Sequence, residues 1–328
     1  MLKDQDVSQI FSVAAKVKKQ YILFAVLAMS IYILGEAVNI TRILKELGEK
    51  SKLISNIRYT LIGFFFSAIT PAASGGQPME IYYMHKDDIS VANSTLALLM
   101  QLCSLQIVTI TVGTISAVIH FEVLKSGLIY LLILGIILNS SALMLLIIAI
   151  FSKKLSEGLI KFAVKLLKFF RIPNVEKKQE KLEKELESYQ TSAKYIKEHK
   201  ILMLKTVLTT VVQMIAYYSV PYWIYLAFGL TEYNIFEILT LQAVLYATVS
   251  GIPSPGAVGV SEGGFLGIFK NVFPETIISS AMLLTRGANF YLFIIISAII
   301  VMISTFREKR IEKKQMQETE VLTEKSEK

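Results

Sequence analysis

Apolar residues gather into runs that are long enough to cross a lipid bilayer. A helix needs about 20 apolar residues to span the hydrocarbon core. Segments that meet this length are 21–40, 91–119, 127–151, 201–230 and 277–306. The pattern therefore predicts an all-α polytopic membrane protein, folded as a helical bundle with five spanning helices.

Two further apolar regions are interrupted by proline and glycine, which cannot continue a regular helix. In each region an apolar half is followed by a break and a second apolar half: 57–70, 71–78 and 79–84 in the first, and 234–250, 251–256 and 258–273 in the second. Irregular backbone is tolerated at membrane depth when protein buries it or when it lines a wet cavity. We therefore predict two broken or re-entrant helical hairpins.

The two breaks resemble each other in spacing and composition. Glu80 follows Pro71 by nine positions, and Glu262 follows Pro253 by nine, with small residues between them. This pattern predicts a degenerate internal repeat. If the two hairpins open toward opposite sides of the membrane, they form an inverted repeat, an arrangement that transporters build around a midplane site.

Basic residues predict the orientation of the chain. The loop 152–200 holds 13 Lys or Arg, which favours the cytoplasm. If each hairpin returns to its own side, the loop 41–56 and the C-terminal tail are also cytoplasmic. The same count of membrane crossings places Lys16, Lys18 and Lys19 outside, which conflicts with the positive-inside rule. The predicted regions are a polar N-terminal segment, a membrane domain and a polar tail, at 1–20, 21–306 and 307–328.

A heptad pattern within the basic loop predicts an amphipathic or coiled-coil helix. The residues that recur every seven positions are Val175, Leu182, Tyr189 and Ile196, with Leu186 and Ala193 at the complementary positions. Two interpretations stay open. The segment is a solvated helical linker, or 174–200 binds a protein partner.

Composition agrees with a membrane protein. Of 328 residues, 53% are apolar and 18% are charged, against about 25% charged in soluble domains. The net charge of +8 lies mainly beside apolar segments, where it favours lipid headgroups over nucleic acid. Cys103 is the sole cysteine and the three histidines are far apart in sequence, so we expect no intrachain disulfide, no metal site and no cofactor.

Three ionisable residues interrupt or flank apolar sequence. Glu80 and Glu262 each follow a break, so each carboxylate either binds a cation, a proton or a cationic headgroup, or caps the following helix. Arg286 lies about one-third into the last apolar run, where it must pair, snorkel or face water. Its candidate partners are either carboxylate or a phosphate.

Other residues carry weaker signals. The glycines of the breaks either expose N–H groups to an anion or simply form turns: Gly75, Gly76, Gly256 and Gly259. The polar side chains within apolar runs, most of which we expect to make interhelical hydrogen bonds, are Gln77, Gln101, Gln106, Gln213 and Asn289. Gln77 is also a candidate substrate-binding residue, together with Glu80, Glu262, Arg286 and the four glycines. We expect Glu36 and Lys205 to snorkel toward helix ends, and the aromatic residues 217–225 to form an interfacial belt.

The two break motifs resemble a known family. They read ITPAASGGQPMEIYY at 69–83 and PSPGAVGVSEGG at 253–264, and the likeness extends to Arg286. Together they are similar to the transmembrane domain of bacterial lysylphosphatidylglycerol synthase, the multiple peptide resistance factor family of flippase-like proteins. The likeness covers about 21–306.

The resemblance implies a multi-pass protein of the bacterial cytoplasmic membrane that handles phospholipid, either phosphatidylglycerol or its lysyl ester. Our leading hypothesis is a flippase whose acidic side chains and arginine hold the lipid headgroup. The alternative is a lysyltransferase that uses lysyl-tRNA and confers resistance to cationic antimicrobial peptides. We expect no soluble transferase domain, because 22 residues follow 306, and no catalytic residue is assigned. A homo-oligomer stays open.

Overall fold

Every regular element in the described part of the chain is helical, which confirms the all-α class. A computed structural model describes residues 16–120, 128–154, 158, 175–252 and 255–307. The helices are α1 Lys19–Glu46, α2 Leu53–Ile69, α3 Gly76–Lys86, α4 Val91–Ile119, α5 Leu128–Phe151, α6 Val175–Glu198, α7 Lys200–Ala227, α8 Ile235–Val249, α9 Val260–Ile268 and α10 Ile278–Arg307.

The five long apolar helices are α1, α4, α5, α7 and α10, and each is long and apolar enough to cross a membrane. They coincide with the predicted spans to within a few residues at most ends. The prediction of an integral membrane protein with five spanning helices is therefore confirmed for the described ranges. Most of the predicted N-terminal segment and of the C-terminal tail lies outside those ranges.

The two interrupted regions form helical hairpins with short 3-10 turns at their tips. The first hairpin consists of α2, the turn Pro71–Ala73 and α3, and the second consists of α8, the turn Pro255–Ala257 and α9. The two turns contact each other, and α2 also contacts the second turn. The hairpin tips therefore meet inside the bundle.

The first hairpin opens at the end of the bundle where α6 lies. Arg58, near the start of α2, forms an ion pair with Asp87, just after α3. Glu49, which precedes α2, accepts hydrogen bonds from Ser90 N and Asn93 Nδ2 beside the start of α4. We call this the α6 end of the bundle.

The second hairpin opens at the opposite end. Thr240, in the second turn of α8, contacts His120 just after α4. Tyr233, just before α8, donates a hydrogen bond to Asn271 O after α9. The two hairpins thus open at opposite ends, while their relation as copies of one inverted repeat stays a prediction.

Helix α6 packs its apolar side against the bundle. Ala193 and Ile196 are buried, and Tyr189 Oη donates to Ala149 O at the end of α5. Burial raises the pKa of Tyr189 to about 12. Glu185 Oε2 accepts from Ala92 N at the start of α4. The chain itself therefore covers the C-terminal half of the heptad side that a protein partner would need, and binding through the rest of 174–200 stays a prediction.

Helix α8 is tightly held between α4 and α5. Gly113 and Gly135 both face Ala247, and a methyl group at Gly135 would overlap the Ala247 carbonyl oxygen. Asn139 of α5 donates to the same carbonyl oxygen and accepts from Ser250 Oγ. Small residues let helix backbones approach closely in a membrane, and the amide adds a polar link between the helices.

Candidate functional site

An ion pair joins the second hairpin to the last helix. Arg286 Nε donates to Glu262 Oε1 at 2.9 Å, and Arg286 Nη2 donates to Gly256 O at 2.9 Å. The guanidinium carbon also lies 4.0 Å from the ring centroid of Phe290, a cation–π distance. Both charged side chains are largely buried, at 8% and 12% exposed. The structure thus brings together two of the three ionisable residues selected from the sequence.

Glu262 also caps α9, because both of its carboxylate oxygens have partners. While Oε1 accepts from Arg286, Oε2 accepts from Gly259 N at 2.6 Å. Glu262 lies at the third position of the helix, where a carboxylate can reach back to the N-cap N–H. The ion-pair and capping interpretations from the sequence therefore apply to the same side chain.

The glycines of the two breaks have different roles. Gly256 and Gly259 have φ of 57° and 85°, a region that strongly favours glycine. Gly76 instead allows close packing, since a methyl group there would overlap Ser67 Oγ. The N–H of Gly75 donates to Thr70 Oγ1 at 2.9 Å. The N–H groups of Gly75 and Gly259 are therefore occupied by side chains and are not open to an anion.

A cavity of about 310 Å³ lies where the two breaks meet. Its wall includes Ser67 and Ala73 of the first hairpin, Gly256 of the second, and Arg286 and Asn289 of α10. Asn289 is 4% exposed, and its Oδ1 has no hydrogen-bond partner among the described residues. The wall thus offers a cationic donor and an unused acceptor to a ligand.

Tyrosines form another side of this cavity. Tyr32, Tyr217 and Tyr246 line it, and the ring of Tyr217 packs against the other two rings at 5.3 Å. Tyr217 was expected to belong to an interfacial belt, and that expectation is wrong. Trp223, six residues later, instead packs against Phe24. The two aromatic residues have different surroundings because Tyr217 lies farther than Trp223 from the C-terminal end of α7.

Glu80 lies outside the Arg286–Glu262 pair. It is 3% exposed, it packs against Gly63, and its Oε2 has no hydrogen-bond partner within the described ranges. The residues identified on the cavity wall do not include it. Gln77, in the first turn of α3, is half-buried and is also not among them. The structure therefore does not gather both carboxylates around one arginine.

Glu36 is a half-buried acid that lies farther from a helix end than the sequence interpretation placed it. It lies well inside α1, between the buried residues Ile33 and Ala37. Snorkelling was expected, but the helix continues for ten residues beyond Glu36 on its C-terminal side. No local pattern distinguished this glutamate from one near a helix end.

A polar network links α1, α4 and α7 beside this region. Asn39 Nδ2 donates to Gln101 Oε1 at 2.9 Å and to Thr210 Oγ1 at 3.0 Å. Gln101 Nε2 in turn donates to Gln213 Oε1 at 3.2 Å. The expected interhelical hydrogen bonds of Gln101 and Gln213 are thus present. They fix the relative position of three spanning helices.

The fold and the site define an integral membrane protein with a polar cavity between the tips of two broken helical hairpins. The sequence pattern of the family described as "Lysylphosphatidylglycerol synthase TM region" matches residues 1–297. The chain belongs to that family, which confirms the resemblance found in its motifs. No curated protein matches the chain.

Proposed function

We propose that this protein moves a phospholipid with a zwitterionic or cationic headgroup across the bacterial cytoplasmic membrane. The headgroup enters the cavity between the hairpin tips while the acyl chains stay in lipid. Membership of the lysylphosphatidylglycerol synthase family supports a phospholipid partner, with phosphatidylglycerol or its lysyl ester as the first candidates.

The observation that carries this proposal is the Arg286–Glu262 pair beside the cavity. A guanidinium has five N–H donors in a fixed fork that suits phosphate. Arg286 uses one N–H on Glu262 and another on Gly256 O. A lipid phosphate that takes over the guanidinium frees Glu262 Oε1 to accept from an ammonium group. The pair therefore matches a headgroup that carries both charges.

The size of the cavity fits a headgroup better than a whole lipid. Ligand sites commonly enclose about 300–1,000 Å³, and the cavity of about 310 Å³ lies at the lower limit. Burying a guanidinium and a carboxylate away from water costs free energy unless the two charges pair with each other or bind a ligand. We propose that the α6 end faces the cytoplasm, because α6 lies there and belongs to the basic loop 152–200.

The test is lipid movement in proteoliposomes. Fluorescent phosphatidylglycerol and lysylphosphatidylglycerol are scored by the fraction that a membrane-impermeant quencher reaches over time. We expect Glu262→Gln and Arg286→Gln to slow lipid movement at least about tenfold. Each variant loses one charged hydrogen bond in a low-dielectric site, and that loss corresponds to at least this factor. The matched control is Glu187→Gln, an exposed glutamate of α6. Unchanged movement in both site variants would refute the role of the pair.

The lysyltransferase alternative makes a different chemical prediction. Purified protein mixed with lysyl-tRNA and phosphatidylglycerol would then yield lysylphosphatidylglycerol in detergent, with no need for a sealed vesicle. We expect no product from this chain and normal movement of the finished lysyl lipid. Formation of product in proportion to protein would favour the enzyme instead, and resistance to cationic peptides would then follow from synthesis.

A further inference from the structure

A second cavity lies at the α6 end, far along the bundle from the hairpin tips. It encloses about 410 Å³ where the end of α1 meets the junction of α6 and α7. Its wall comprises Arg42, Glu46, Glu198, His199, Lys200, Ile201, Leu202 and Lys205. Nothing in the proposed transport mechanism uses these side chains.

Arg42 is held rigidly at the edge of this cavity. Its Nη1 donates to Asn39 Oδ1, Lys205 O and Thr209 Oγ1, each at 3.0 Å. These bonds fix one corner of the guanidinium and join α1 to α7. The Nη2 and Nε groups meet no acceptor in the described part of the chain, so they are available to a ligand.

Lys200 and Lys205 add two exposed ammonium groups that form no ion pair with the described residues. His199 Nδ1 donates to Tyr195 O at 2.7 Å, and the two rings stack at 3.8 Å. The wall also contains the carboxylates of Glu46 and Glu198. Glu46 already accepts a hydrogen bond from Tyr195 Oη at 3.3 Å. Three permanent cations against two carboxylates leave the cavity net positive.

The cavity lies beside an exposed apolar stripe at the start of α7. Ile201, Leu204 and Leu208 of α7 are 69%, 59% and 56% exposed. Lys205 lies on the same side of the helix, since residues three and four apart share one side. The stripe continues from the cavity toward the membrane interior. This arrangement positions cationic donors at headgroup level above acyl-chain contacts.

We propose that this cavity binds the phosphodiester of an anionic phospholipid as a resident lipid, distinct from the lipid that is transported. The phosphate lies between Arg42, Lys200 and Lys205, and an acyl chain lies along the stripe of Ile201, Leu204 and Leu208. Because α1, α6 and α7 all contribute to the wall, the bound lipid braces the junction between α6 and the spanning helices. The inference does not depend on lipid movement through the other cavity.

Native mass spectrometry of the full chain in detergent measures this binding directly. The probes are dioctanoyl phosphatidylglycerol, dioctanoyl phosphatidylcholine and sodium phosphate. We expect Lys200→Gln/Lys205→Gln to bind the anionic lipid about 30-fold more weakly, because each basic side chain near an anionic headgroup contributes a factor of about five. The double variant Lys200→Arg/Lys205→Arg should retain binding. Both replaced lysines are exposed, so the fold is preserved.

The matched control is Lys194→Gln/Lys197→Gln, which removes two exposed charges from α6 outside the cavity wall. We expect it to bind like the unchanged protein. Equal weakening in the control would overturn the site in favour of general surface charge. Equal binding of phosphatidylcholine would overturn the anionic preference, and full competition by sodium phosphate at the lipid concentration would assign the cavity to free phosphate.

Discussion

Removal of Arg286 should destabilise the protein more than removal of the whole ion pair. In Arg286→Met, Glu262 keeps the Gly259 N–H but loses its cation, and Gly256 O loses its donor. Breaking a buried pair from one side costs about 3–5 kcal/mol. Because Glu262 is 12% exposed and lies near a cavity, we expect about 3 kcal/mol, the low end of that range. The double variant Glu262→Gln/Arg286→Met leaves no lone charge and should cost about 1–2 kcal/mol.

Unfolding in mixed micelles, followed by circular dichroism across a denaturant series, gives these free energies. The matched control is Arg307→Met, which removes an exposed arginine from the end of the same helix and should change stability by less than about 0.5 kcal/mol. If the double variant proves less stable than Arg286→Met, then the buried charge is not the dominant cost and the reasoning fails. The same measurement on Glu262→Gln and Arg286→Gln shows whether slow lipid movement in those variants reflects loss of headgroup binding or unfolding.

Three further predictions concern helix packing and the hydrogen bonds that hold loops and helix ends. Gly135→Ala should lower the unfolding free energy by about 1–3 kcal/mol relative to Gly287→Ala, because its methyl group meets the Ala247 backbone whereas the other meets open space; equal stability in the two variants would contradict the close approach. Tyr225→Phe should cost about 1–3 kcal/mol, because the buried hydroxyl accepts two N–H groups of the next loop, and amide exchange of that loop should rise. Glu185→Ala should speed hydrogen exchange across α6, since it removes an acceptor that binds the start of α4; unchanged exchange would show that apolar packing alone holds the helix.

The spanning helices were predictable because a bilayer demands long apolar runs, and such runs are local in sequence. The breaks were predictable for the same reason, since Pro71 and Gly256 interrupt apolar sequence at fixed positions. The heptad residues Tyr189 and Ile196 correctly indicated a helix with one apolar side. They could not indicate that this side packs on the chain's own bundle, because helix periodicity does not identify the partner.

The site was only partly predictable because its contacts join distant segments. Glu80 and Glu262 both follow a proline break by nine residues, so sequence spacing offered no reason to pair Arg286 with one rather than the other. The structure separates them, with Glu262 at the ion pair and Glu80 packed against Gly63. Tyr217 was missed because an aromatic residue near the end of an apolar run is as typical of a membrane interface as of a cavity wall.

The close packing of α8 against α4 and α5 determines which part of the second hairpin can move. Helix α8 packs closely between α4 and α5 at Ala247, so we expect its position to stay fixed. Helix α9 packs against α8 and α10 and is joined to α8 through glycines that have positive φ. Within the second hairpin, Gly256 and Gly259 are therefore the positions at which α9 can change its angle to α8. The Arg286–Glu262 ion pair joins α9 to α10, so a change in that angle would have to break this pair or carry α10 with it.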